Sequence, residues 1–153
     1  MQKIELFEKK VEIIIPLLFK EMNKEDIQKR FARGTPPNIV YADEKGSPSI
    51  SISLKENPIT QETISKFVDL IEKSITGPLP QTKTVEKGTK EINGRKVGYI
   101  AIITPSTNGD IYNYMFFTDF NKNLLLFNFS CMNRSFEEWN NTISSINSSL
   151  KIN

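Results

Sequence analysis

Histidine is absent from these 153 residues, and cysteine occurs once, at Cys131. The first absence removes the commonest general base and metal ligand, and with it every Ser-His or Cys-His nucleophile pair. The second excludes an intrachain disulfide and a thiolate zinc cluster. Glycine is sparse as well. Gly94, Gly98 and Gly109 stand alone in turns or strands, so no glycine-rich phosphate loop leads into a helix. No apolar run has the length to cross a bilayer, so membrane insertion is not expected. The opening Met1-Gln2-Lys3-Ile4-Glu5 lacks the apolar core of a secretory signal. The chain therefore reads as cytoplasmic, or as periplasmic or lipid-anchored if a leader once preceded Met1.

Charge of one sign is also lacking, since the formal net charge is +2. The local positive excess at Lys83, Lys87, Lys90, Arg95 and Lys96 is interrupted by Glu86 and Glu91 and reads as a solvated face. Nucleic-acid binding is not expected from it. Carboxylate pairs at Glu25-Asp26 and Glu137-Glu138 fall in first helical turns, where they favour the helix dipole. Asp43-Glu44 borders a turn. No pair is assigned to catalysis, no metal site or cofactor is expected, and the chain is read as a non-enzyme.

What the chain does contain is a regular order of strands and helices. Ile4 and Leu6, then Val11, Ile13 and Ile15, alternate with polar neighbours and predict a hairpin or one bent strand ended by Pro16. Asn23 is placed to cap a short helix, with Met22 and Ile27 as a staple pair, and Gly34 and Pro36-Pro37 bound it. Strands follow over Asn38 to Asp43 and Pro48 to Lys55. The second puts Ile50, Ile52 and Leu54 on one face and Ser49, Ser51 and Ser53 on the other, predicting a position near a sheet edge. Thr60 opens a long helix whose stripe is Ile64, Phe67, Val68, Ile71 and Ile75.

In the second half, Thr82 to Ile92 and Arg95 to Thr104 flank Asn93-Gly94, a dipeptide suited to a turn with two positive φ values. Strands Ile111 to Phe120 and Leu124 to Met132 come next. Ser135-Phe136-Glu137-Glu138 then has the pattern of a capping box, opening a helix with Phe136, Trp139, Ile143, Ile146 and Leu150 on one side. The three inner strands are apolar on both faces, so both faces need cover. Helices on each side would supply it. If they cover one side alone, the other is a partner surface. Two sets of residues are candidate partner contacts: Tyr112, Tyr114 and Phe116, which share a strand face and read either as buried sheet core or as an aromatic platform, and Arg134, which reads either as an ordinary exposed loop residue or as a clamp for an acidic group.

This element order resembles the PsbP-like superfamily, through Ile50–Leu54, the long helix, Glu91-Ile92-Asn93-Gly94-Arg95-Lys96-Val97-Gly98-Tyr99, and the terminal helix with Trp139 and Ser149-Leu150-Lys151-Ile152. That group includes DcrB-like bacterial proteins and effector-associated secretion chaperones. The resemblance implies one α+β domain over residues 1–153, an antiparallel sheet flanked by helices in an αβα sandwich. It also implies a non-enzymatic protein-binding or chaperone-like module, and the Lys-, Ile- and Asn-rich usage suggests a bacterial origin. The second functional expectation is a carrier of a small apolar ligand between sheet and helix. Oligomeric state is left open.

Overall fold

The computed structural model describes residues 1–32 and 34–153. The chain opens with a hairpin, β1 (Gln2–Leu6) and β2 (Val11–Ile15), joined through Phe7, Glu8 and Lys9, all at positive φ. A two-residue strand β3 (Lys20–Glu21) leads to α1 (Lys24–Arg30). Asn23 caps α1 as its position predicts, accepting from the Asp26 N–H at 2.8 Å. The helix stops at Phe31, earlier than the expected Gly34. Then come β4 (Ile39–Ala42), β5 (Ser49–Pro58), α2 (Ile64–Thr76), β6 (Lys83–Ile92) and β7 (Arg95–Thr104). The chain continues through β8 (Ile111–Phe120), β9 (Asn123–Met132), α3 (Phe136–Ser148) and β10 (Lys151–Ile152).

These strands form two antiparallel sheets. One has the order β1-β2-β10, and the other β3-β4-β5-β9-β8-β7-β6. Turn chemistry explains the long hairpins of the larger sheet. Asn93 and Gly94 take φ of 49° and 79°, and Asn121 and Lys122 take 51° and 66°, the left-handed pairs that two-residue hairpins require.

Because side chains alternate, each inner strand feeds two cores. Ala101, Tyr114, Phe127 and Phe129 point to one side, and Ile100, Met115, Phe117 and Leu124 to the other. The first core is roofed by α3 together with the small sheet, whose Ile13, Ile15, Ile143 and Ile146 are all buried. The second lies under α2, through Ile64 and Val68. The fold is an α+β sandwich with cover on both sheet faces, as the doubly apolar strands demand.

One local expectation holds and two are corrected. The serine-bearing β5 lies near an edge: beyond it come only β4, which pairs with Ser49–Ile52 alone, and the two-residue β3, while β9 pairs along its other side. Ser135 does not cap α3. It sits at φ −101°, ψ 2°, at the end of a 3-10 turn (Asn133–Ser135), and its side chain makes no capping bond. Finally, Lys151 and Ile152 leave the terminal helix and pair with Glu12 and Val11 of β2.

Candidate functional site

The site is built by the sideways placement of α2. The helix packs chiefly over β6 and β7 at one end of the larger sheet. Residues paired directly across antiparallel strands share a face, so the register lays out the rest of that surface in rows. Ser49, Ser130 and Asn113 form one row, and Ser51, Asn128 and Met115 the next. Ser53, Leu126 and Phe117 follow, then Lys55, Leu124 and Asp119. The face is thus polar over β5 and apolar towards α2.

Where these halves meet, a groove of about 410 Å³ runs along the helix. Its wall is Phe67, Leu70, Ile71 and Ile75 of α2, and its floor is Met115, Leu124 and Leu126. Lys55 and Asn57 stand at the rim. Of the stripe predicted for this helix, Ile64 and Val68 are buried, whereas Phe67, Ile71 and Ile75 are only partly covered. Leu70, which widens the stripe, is 56% exposed. Deeper along the face, the Asn128 amide donates to Asn113 Oδ1 at 3.1 Å. Its own Oδ1 is buried and has no partner among the described residues, a combination that native interiors seldom leave unanswered.

The other flank of α2 is tied down by charge. Lys87 Nζ lies 3.1 Å from Asp69 and 2.7 Å from Glu72, and the Thr84 hydroxyl donates to Glu72 at 2.6 Å. The Lys87 ammonium and the Thr84 hydroxyl hold the Glu72 carboxyl below its usual range, and the two carboxylates push the Lys87 amine up. Arg95 pairs with Asp119 at 3.0 Å. Lys90 lies over the rings of Tyr99 and Tyr114, 4.8 and 5.6 Å from their centroids, and burial lowers its pKa. Three of the five hairpin cations are therefore engaged with carboxylates or aromatic rings.

The residues singled out from the sequence fall elsewhere. Tyr112, Tyr114 and Phe116 share a face, as the alternation predicts, but they are 4%, 5% and 1% exposed. Tyr112 packs on Phe136 at 4.4 Å between centroids, the Asn147 amide donates to the Tyr114 hydroxyl at 2.9 Å, and Phe116 stacks on Phe127 at 4.7 Å. The three rings belong to the core below α3 and offer no open platform. Burial pushes the Tyr112 phenol up to about 12, raises Tyr114 further, and lifts the Cys131 thiol to about 11, so all three groups are neutral near pH 7. Arg134 is exposed beyond the end of β9, donating to the Asn108 carbonyl at 3.4 Å, and does not meet the tyrosines.

Sequence reasoning expects a pocket between sheet and helix but does not place it beside α2. Its one visible signal is Leu70, an apolar residue beside a stripe already wide enough for docking. Among the described residues no group of three or more Asp, Glu or Cys side chains could hold a metal ion. Among them, too, no helix is long and apolar enough to cross a membrane.

No protein-family model matches the chain, and neither does any curated protein sequence. Solved structures do match. The cyanobacterial PsbP protein CyanoP from Synechocystis sp. PCC 6803 superposes with a TM-score of 0.71 at 12% identity, over 99% of this chain and 92% of its own. PA94 of Pseudomonas aeruginosa, a protein of unknown function, gives 0.57 at 12% identity, over 100% and 97%. LpqN, involved in cell envelope biogenesis of Mycobacterium tuberculosis, gives 0.58 at 11% identity, over 93% and 82%. The fold of this chain is PsbP-like.

Proposed function

We propose that this chain is a non-catalytic binding module that receives an apolar segment of a protein partner in the groove beside α2. The observation that carries this reading is the half-used stripe of the helix. Phe67, Ile71 and Ile75 are only partly covered by the core beneath them and line a gap together with the exposed Leu70, and completing the cover of each would add at most roughly 1.5–3 kcal/mol. An extended or helical segment laid in the gap would meet the apolar floor first. It would then reach the serines of β5, whose hydroxyls can hydrogen-bond its backbone. The groove has two walls, α2 and the sheet, and a macromolecule supplies the third.

A second reading has its own support. The groove volume falls within the roughly 300–1,000 Å³ common for small-molecule sites, and its lining is largely apolar. A small apolar ligand would lie there with one flank in water. The part that LpqN takes in cell envelope biogenesis makes envelope components the first partner class to try.

The test is a photoreactive amino acid placed at position 70, and as a control at Leu79, which is also exposed. Irradiation in cell extract should give a discrete protein adduct from position 70 alone, and Leu126→Glu should abolish it. Identical adducts from both positions, or none from position 70, would remove the support for the partner reading. Native mass spectrometry with added lipids addresses the second reading, which predicts a bound species lost in Leu126→Glu.

A further inference from the structure

Residues Pro16–Phe19, between β2 and β3, are held in place from two directions. Beneath them, Phe19 is buried and packs against Phe129 and Trp139, with centroids 6.4 and 6.1 Å away. From the side, the Gln2 amide donates to the carbonyls of Pro16, Leu17 and Phe19 at 3.1, 3.2 and 2.8 Å. The Phe19 N–H closes the turn on the Pro16 carbonyl at 3.1 Å. This fixed backbone turns its two central side chains into solvent, leaving Leu17 67% and Leu18 79% exposed. Ile14, on the adjoining strand, is 37% exposed. Lys20 follows directly, exposed and with no carboxylate within ion-pair distance among the described residues.

Scattered exposed leucines are ordinary, but two adjacent ones on a pinned turn form a deliberate apolar point. We propose that this turn is a docking tip that inserts Leu17 and Leu18 into the interfacial region of a lipid surface. The argument is one of area and shape. A stable protein–protein contact covers roughly 1,000 Å² or more with complementary packing, far beyond two side chains on a projecting turn. A bilayer interface imposes no shape and accepts a small apolar wedge directly. Lys20 adds attraction to anionic headgroups, while the neighbouring Glu21 opposes it, its carboxylate accepting from the Tyr41 hydroxyl at 3.4 Å. Binding through so small a wedge is reversible, and it is independent of the groove beside α2.

The experiment is co-sedimentation of the full chain with large vesicles of phosphatidylcholine, alone or mixed equally with phosphatidylglycerol. The wild type should sediment with the mixed vesicles and less with phosphatidylcholine alone. Leu17→Gln combined with Leu18→Gln, which adds no charge, should weaken the partition by about tenfold or more, since two inserted side chains are lost. Both positions are exposed, so folding is preserved, and far-ultraviolet circular dichroism verifies this. Leu70→Glu, in the groove, should leave vesicle binding unchanged. Absence of wild-type binding to either vesicle would overturn the proposal, as would undiminished binding by the double variant. So would wild-type self-association that the double variant abolishes while vesicle binding stays at zero.

Discussion

Phe117 on β8 and Gly98 on β7 stand directly opposite one another, and the ring lies where a side chain on the glycine would be. A Cβ added at Gly98 would fall 2.3 Å from the Cζ of Phe117. This close approach lets a fully buried phenylalanine lie flat in the core under α2. Gly98→Ala must displace the ring and is expected to cost about 1–3 kcal/mol, the usual penalty of overpacking. Gly88→Ala is the comparison. There the added atom meets the hydroxyl end of Tyr99 at 2.9 Å, on the partly exposed edge strand, where the ring can swing aside. Denaturant titration should show a clear midpoint drop for the first variant, a small one for the second, and unchanged slopes. Equal stability of Gly98→Ala and wild type would mean that the ring does not lie over the glycine.

Much of the second half of the chain is legible from local pattern. Alternation along β7, β8 and β9 assigns Ala101, Tyr114 and Phe127 to one face, and Ile100, Met115 and Phe117 to the other, as the two cores have them. Asn93-Gly94 and the Asn23 cap are equally local, since the turn angles and the cap bond depend on a few adjacent residues. Two failures are local, the missing Ser135 cap and the early stop of α1 at Phe31, and the others are long-range. The alternation of Ser49–Ser53 points to a nearby edge without saying that β3 and β4 are what lies beyond it, and two residues at the chain's end cannot announce a pairing with Glu12 and Val11. The candidate site belongs to this second kind. Phe67, Ile71 and Ile75 read as a docking stripe, but how far α2 sits to one side of the sheet depends on its contacts with β6 and β7. Tyr112, Tyr114 and Phe116 are the reverse case. They look like a platform until the first and last segments of the chain fold over their face.

The attachment of α2 distinguishes apolar from ionic contributions. Ile64 is fully buried, and Ile64→Ala should cost about 2–5 kcal/mol through lost contacts and the cavity left behind. Lys87 touches both Asp69 and Glu72, yet its side chain is 42% exposed and the pairs are screened by water. Lys87→Met is therefore expected to cost far less than Ile64→Ala, and still less at high salt. Thermal unfolding of both variants at low and high ionic strength checks the order. A larger loss from Lys87→Met than from Ile64→Ala would mean that α2 is held by charge.

Alkaline pH should loosen the core beneath α3. In the folded chain burial raises Cys131 to about 11, against an ordinary 9.0, and Tyr112 to about 12, against 10.0; Tyr114 is raised further. In the unfolded chain these groups lose their protons near the ordinary values, so over that interval the unfolded state binds fewer protons and stability falls as pH rises. The contribution is fully present below about pH 9 and declines through the pH range up to about 12. Lys87, raised by its two carboxylates, acts in the same direction, whereas Lys90, lowered by burial, acts against it. Tyr112→Phe removes one ionising group while keeping the ring against Phe136. Denaturant unfolding at stepped alkaline pH should thus give a declining free energy for the wild type and a shallower decline for Tyr112→Phe above about pH 10. A flat wild-type profile across the interval would mean that these groups ionise as freely in the folded chain as in the unfolded one, and that the face under α3 is open to water.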